Sequence, residues 1–212
     1  MFKKAIEQNL LSIHVHNLRD YTPYNHGKVD DHLYGGEPGM LLMIEPIVNC
    51  INALQKERNY DEVIYMAPDG QQLTQSVVNA CSLKQNIILL CGHYKGVDER
   101  VREHFITMEI SLGDYVLSGG ELPAIMLADA IVRVMPGVIS DACSALTDSF
   151  QDNLVAPPAY TRPYNYKGMT VPEVLVSGNH RTIQEWTQQQ ILKRTKEKRP
   201  YFFEKEPMDQ VH

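Results

Sequence analysis

Three stretches of the 212-residue chain run from apolar residues into glycine-containing loops. They are Tyr65-Met66-Ala67-Pro68-Asp69-Gly70, Cys91-Gly92-His93-Tyr94-Lys95-Gly96 and Gly113-Asp114-Tyr115-Val116-Leu117-Ser118-Gly119-Gly120. Glycine lets main chain approach a ligand closely, and in open parallel sheets ligands sit beyond the carboxyl ends of the strands. Three such loops together can wrap a nucleotide-sized molecule with amides and carbonyls. No GxGxxG and no GxxxxGK[ST] occurs, so the ordinary dinucleotide and P-loop readings fail. Lys95 is the one Lys or Arg in these loops, which disfavours a phosphate and favours an adenosine-type ligand held by backbone. The plainer alternative is that the glycines only make turns.

Other chemistry is thinly supplied. Ser118-Gly119-Gly120-Glu121 has the spacing of a helix capping box, and Asp129 and Arg133 stand four apart, the spacing of a helical ion pair. His14, His16, His26, His32 and the cysteines at 50, 81, 91 and 143 show no metal-ligand spacing, so no metal site is expected. No serine nucleophile elbow or HExxH is present. Without a CxxC pair or a disulfide framework, the cysteines fit a reducing cytoplasm.

Strands must carry those loops and helices must return between them. Residues 10–18 alternate apolar and polar as a half-buried strand does, which sets His14 and His16 on one face. A polar stretch over 20–36 follows, too long for a plain connector. Pro46 opens a helix to residue 57. Residues 62–66 read as a strand, 68–70 as a turn, 72–80 as a helix, 86–90 as a buried strand and 97–104 as a short helix. Residues 107–112 read as a strand and 121–134 as a helix apolar almost all round. This order predicts an α/β fold with a mostly parallel sheet covered on both faces.

Periodicity fades near Pro136. Residues 140–158 read as a flexible linker between an α/β ligand-binding domain over 1–139 and a small helical domain over 159–212. There Asn179 caps a helix over 180–195, with Ile183, Trp186, Gln190 and Ile191 inward, which reads as a small domain built around its one tryptophan. Net charge is −6, but it is segregated: residues 1–158 hold 11 Lys/Arg against 20 Asp/Glu, and residues 159–203 hold eight against three. A basic module on an acidic body fits RNA; a solvated helix face is the alternative. No apolar run reaches the ~18 residues of a membrane helix, and the polar break within Met1-Phe2-Lys3-Lys4-Ala5-Ile6-Glu7-Gln8 comes too soon for a secretory leader.

Longer motifs carry a resemblance. Asp30-Asp31-His32-Leu33-Tyr34-Gly35-Gly36-Glu37-Pro38-Gly39-Met40, Leu90-Cys91-Gly92-His93-Tyr94-Lys95-Gly96-Val97-Asp98-Glu99-Arg100-Val101 and Glu109-Ile110-Ser111-Leu112-Gly113-Asp114-Tyr115-Val116-Leu117-Ser118-Gly119-Gly120-Glu121 resemble bacterial tRNA (guanine-N1)-methyltransferases, the TrmD family. So do Ser144-Ala145-Leu146-Thr147-Asp148-Ser149-Phe150, Tyr160-Thr161-Arg162-Pro163 and Val171-Pro172-Glu173-Val174-Leu175-Val176-Ser177-Gly178-Asn179-His180. The match runs in order over about residues 10–200.

The resemblance implies a SPOUT-class α/β domain with a C-terminal trefoil knot, a feature periodicity cannot reveal, and a small helical domain after it. It also implies methyl transfer from S-adenosylmethionine to N1 of guanosine 37 of tRNA, by a homodimer with sites shared between subunits and Mg²⁺ supporting turnover. By the same resemblance the donor is held by Tyr65, Met66, Pro68, Gly70, Gly92, Ser111, Leu112, Gly113, Tyr115, Val116, Leu117, Gly119 and Gly120. The tRNA would meet Tyr94, Arg162, Ser177, Asn179, His180, Lys193, Arg194 and Arg199. Guanine N1 carries a proton at neutral pH, so the reaction needs a general base. Asp148 matches the family's base, on a segment that tRNA would order. Arg133 matches its catalytic arginine, suited to negative charge developing on the guanine. A binding protein on the same knotted fold, without turnover, is the competing class.

The chain departs from the pattern in three places. Relatives begin with a strand and most of a helix ahead of the position of Met1. Glu37 replaces a glycine. Lys95 stands where many relatives carry glutamate near the target base, so guanine recognition is not carried over to it.

Overall fold

The computed structural model describes residues 1–138 and 148–204, and the chain divides into two compact units, Met1–Ser140 and Asp141–His212. The first unit opens with helix α1 (Phe2–Glu7), whose Ala5 is buried with Val132 and Val138. The strand expected over residues 10–18 does not form. Ile13 and Val15, which would line its buried face, are 53% and 93% exposed; alternation makes a strand only where a neighbour pairs with it. His16 Nδ1 instead lies 2.9 Å from the Tyr21 hydroxyl, so no strand face joins His14 to His16. Strands β1 (Asp30–His32) and β2 (Met40–Leu42) then pair as an antiparallel hairpin. Glu37 in its turn is not among the residues with positive φ, so a β-carbon meets no backbone penalty there.

Helix α2 (Ile44–Glu57) carries Pro46 in its first turn. Four elements follow: β3 (Glu62–Gln72), α3 (Gln75–Ser82), β4 (Ile87–Cys91) and α4 (Glu99–Phe105). Then come β5 (Met108–Ser111) and α5 (Glu121–Val134). Their strands make a parallel sheet in the order β4-β3-β5. All five residues from Val63 to Ala67 of β3 are buried, because strand alternation feeds two covered faces. Val63, Tyr65 and Ala67 pack with Ile47 and Ile51 of α2 and Val101 of α4. Ile64 and Met66 pack with Ile110, with Cys81 of α3 and with Ala124 and Leu127 of α5.

The turn expected at Pro68-Asp69-Gly70 lies inside β3. Met66 and Gln71 both pair with Ile110, so residues 67–70 arch out of the ladder. Pro68 has no N–H to donate, which favours a break there. Gly70 brings the chain back: a β-carbon on it would stand 2.6 Å from the Glu109 carbonyl carbon.

The second unit holds a hairpin, β6 (Asn165–Tyr166) with β7 (Met169–Thr170), then helices α6 (Glu173–Val176), α7 (His180–Lys198) and α8 (Tyr201–Glu204). The Asn179 side chain caps α7 as expected, accepting from the Arg181 and Thr182 amides. Trp186 is half-buried, so the centre of this unit is not the tryptophan. Buried Val155 donates its amide to Thr195 Oγ1 at 2.9 Å, and Thr195 is fully buried. Residues 148–158, read from sequence as linker, therefore pack as part of this unit. Residue 139 and residues 140–147 of that linker, with Cys143 and residues 144–147 of the Asp148 motif, lie outside the described residues. Among the described residues no helix is long and apolar enough to cross a membrane.

Candidate active site

The arch within β3 and the carboxyl ends of β4 and β5 carry the three glycine loops. The Gly120 amide donates to the Gly92 carbonyl at 2.8 Å, and His93 and Gly119 form an antiparallel bridge, so the second and third loops are stitched side by side. The first is tied to β5, with the Leu73 amide donating to Ser111 O at 2.7 Å. Gly70 and Gly120 are both required by chain crossings: a β-carbon on Gly120 would lie 2.8 Å from Cys91 Cα and Gly92 N. Gly113, at φ +151°, would meet only the Tyr115 ring, 3.0 Å away. The donor residues expected from sequence thus include two glycines whose identity the fold already accounts for.

Ser111 is buried and its hydroxyl exchanges hydrogen bonds with Gly113 O and N at 3.1 and 3.2 Å, fixing the start of the third loop. Tyr115, Val116 and Leu117 are exposed, and Leu112 is half-buried. Met66 lies in the core. Burial holds the Tyr65 phenol above its ordinary range and pushes the Cys91 thiol up to about 11, leaving neither ionised at neutral pH. The capping box expected at Ser118 and Glu121 does not form. Gly120 is the residue before α5 and no side chain caps it; Glu121 instead lies 2.7 Å from His93 Nε2.

A charged network borders these loops that sequence reasoning missed. Arg102 on α4 donates to both Glu109 oxygens at 2.7 and 2.6 Å and to Asp69 Oδ2 at 2.8 Å. Its guanidinium sits 5.7 Å from the centre of the Tyr65 ring. The hydrogen bond from Arg102 holds the Asp69 carboxyl below the usual range. Asp69 and Arg102 stand 33 residues apart, so no local spacing links them. The one signal was the carboxylate in a Pro-Asp-Gly loop after a strand.

Arg133 lies exposed in the last turn of α5, within the first unit. Asp148 belongs to the second unit, half-buried, one residue before an anchored turn. In that turn the Ala156 amide donates to Ser149 Oγ at 3.0 Å and the Phe150 amide to Leu154 O at 2.7 Å. Phe150 packs edge-on to Phe202 and under the Arg199 guanidinium. Tyr94, Arg162, Ser177, Asn179, His180, Lys193 and Arg199 are exposed. Arg194 differs: it is half-buried and its Nε is buried without a hydrogen-bond partner among the described residues.

Residues 1–205 match the family described as tRNA (Guanine-1)-methyltransferase TrmD. The chain is 60% identical over 200 residues to the tRNA (guanine-N(1)-)-methyltransferase of Christiangramia forsetii, covering 94% of this chain and 88% of that protein. It is 59% identical over 204 residues to the protein of the same name from Bacteroides thetaiotaomicron, covering 96% and 91%. The namesake from Cytophaga hutchinsonii is 58% identical over 205 residues, covering 97% and 87%.

Proposed function

The chain belongs to the tRNA (guanine-1)-methyltransferase family TrmD, and from that premise we propose that it methylates N1 of guanosine 37 in tRNA. The observation that carries this reading is whole-chain similarity, at 60% identity over 94% of its length, to a protein named for that chemistry. S-adenosylmethionine supplies a methyl group already activated by its sulfonium. The work left to the protein is to bind the nucleoside part of the donor and to make guanine N1 a nucleophile. The backbone of the three loops does the first. Asp148 does the second, taking the N1 proton as the N1–methyl bond forms and the methyl–sulfur bond breaks. Arg133 stabilises the negative charge that develops on the guanine.

The close crossing of Gly120 over Cys91 and Gly92 supports a trefoil knot. One face of α5 supports a homodimer: Leu122, Ile125 and Met126 are 61%, 57% and 54% exposed, an apolar patch that a second copy would cover. In that dimer Asp148 of one subunit serves the donor pocket of the other. A tRNA substrate places the reaction in the cytoplasm. Mg²⁺ would support turnover, yet among the described residues no three His, Cys, Asp or Glu side chains are grouped to hold a metal, and no step here passes through one. Binding without turnover is disfavoured, because the relatives are named as methyltransferases and both Asp148 and Arg133 are present.

The test is labelled methyl transfer from S-adenosylmethionine to unmodified tRNA, followed by digestion to nucleosides. The expected label is in 1-methylguanosine; binding of both substrates without incorporation would leave only the non-catalytic reading. A second expectation concerns the basic module. Lys193, Lys196 and Lys198 are exposed on α7, so tRNA affinity should fall steeply with salt. Changing these three to Gln should reduce the log–log salt slope by about 2 and raise the KM for tRNA. An unchanged slope would make the cluster only a solvated face.

A further inference from the structure

We propose that Asp69 and Lys95 hold the amino-acid tail of the methyl donor, the carboxylate pairing with its ammonium and the lysine with its carboxylate. The inference rests on S-adenosylmethionine being the donor, as proposed above, and assigns the part of it that the glycine loops do not explain. Those loops offer a nucleoside backbone contacts. The methionyl end is instead a zwitterion, with a cation and an anion on adjacent carbons, and needs charges of both signs at one place.

The structure supplies such a place. A cleft of about 380 Å³ opens between the arch of β3 and the loop after β4, lined by Tyr65, Pro68, Asp69, Lys95, Gly96 and Arg102 among others. Asp69 rides on the arch, and Arg102 fixes its Oδ2. Arg102 is itself anchored two-pronged to Glu109, so its charge is matched by Glu109 and the Asp69 carboxylate is held in place without being neutralised. Glu99, the other anion on the cleft wall, leans toward Arg102 at 3.6 Å. Lys95 is placed from its stem: glycine at 39 leaves room for it, since a β-carbon there would stand 3.1 Å from Lys95 Cγ. The Lys95 ammonium has no hydrogen-bond or ion-pair partner among the described residues. A phosphate would face two carboxylates here, whereas a zwitterion finds one partner for each of its charges.

Calorimetric titration of the full chain with three nucleosides separates the contributions. S-adenosylmethionine carries both tail charges, its decarboxylated form carries the ammonium alone, and 5′-deoxy-5′-methylthioadenosine carries neither. Asp69→Asn should weaken the first two about tenfold and leave the third unchanged. Lys95→Gln should weaken S-adenosylmethionine about tenfold and leave the other two unchanged. Parallel loss of methylthioadenosine would mean the side chains only shape the loops, and unchanged affinity for all three would mean they touch nothing; either overturns the proposal. Wild-type protein that binds none of the three would overturn the donor assignment, and this inference with it.

Discussion

Asp148→Asn should slow the methylation step in single-turnover measurements by about 10² or more while donor affinity stays at the wild-type value. Asparagine keeps the shape of the side chain and cannot accept the N1 proton. The turn that follows is held by Ser149 Oγ, the Phe150 amide and the ring of Phe150 against Phe202, none of which needs the carboxylate of Asp148. Robust single-turnover methylation by the variant would remove the general-base role. A mixed dimer sharpens the test. Asp148→Asn and a donor-dead Gly113→Val protein, each inactive alone, are unfolded, mixed and refolded together. One of the two pockets then joins an intact third loop to an intact Asp148 from the partner subunit, and a fraction of wild-type activity should return. Mixed dimers that form and stay inactive would falsify the shared site.

Glycine substitutions should divide into two kinds, and this is the second large effect. At Gly120 an added β-carbon meets the main chain of Cys91 and Gly92 at 2.8 Å. Both are locked, Cys91 by its register in β4 and Gly92 by the hydrogen bond from Gly120 itself. Overpacking against backbone costs about 1–3 kcal/mol or more, so Gly120→Ala should lower Tm by roughly 3–10 °C. At Gly113 the added carbon meets only the edge of the exposed Tyr115 ring, and the strain lies instead in its own backbone, at φ +151°. Gly113→Val should therefore lower Tm through its own backbone while keeping a folded circular dichroism spectrum, and abolish donor binding in calorimetry. Full donor affinity in Gly113→Val would remove the third loop from the site, and an unshifted Tm in Gly120→Ala would contradict the tight crossing.

Much of the sheet was legible because β3, β4 and β5 are covered on both faces, and continuous apolar runs bounded by glycine leave few other readings. Helix α5 matches the expected residues 121–134 for the same reason, being apolar nearly all round. The strand expected over residues 10–18 failed because alternation reports a side chain's preference and not the presence of a neighbour to pair with. Pro68-Asp69-Gly70 reads locally as the end of a strand; only the return of Gln71 to Ile110, 39 residues further along the chain, shows it to be an arch within one. The glycine loops were visible as a set, but not which glycines serve the fold. That depends on chain crossings such as Gly120 over Gly92, which no local pattern encodes. The network of Asp69, Arg102 and Glu109 was hidden likewise, since its members sit on three elements and share no motif. Arg133 and Asp148 came from family resemblance, because an exposed arginine and a carboxylate at a domain boundary look ordinary by themselves.

The most direct measurement is the position of the methyl group on a pair of unmodified tRNA transcripts, one with guanosine and one with adenosine at position 37, each incubated with this chain and S-adenosylmethionine and mapped by mass spectrometry. The account predicts one 1-methylguanosine, at position 37 of the first transcript, and no methylation of the second. Methylation at another nucleotide or ring atom, equal methylation of both transcripts, or tight binding with no transfer at all would contradict it.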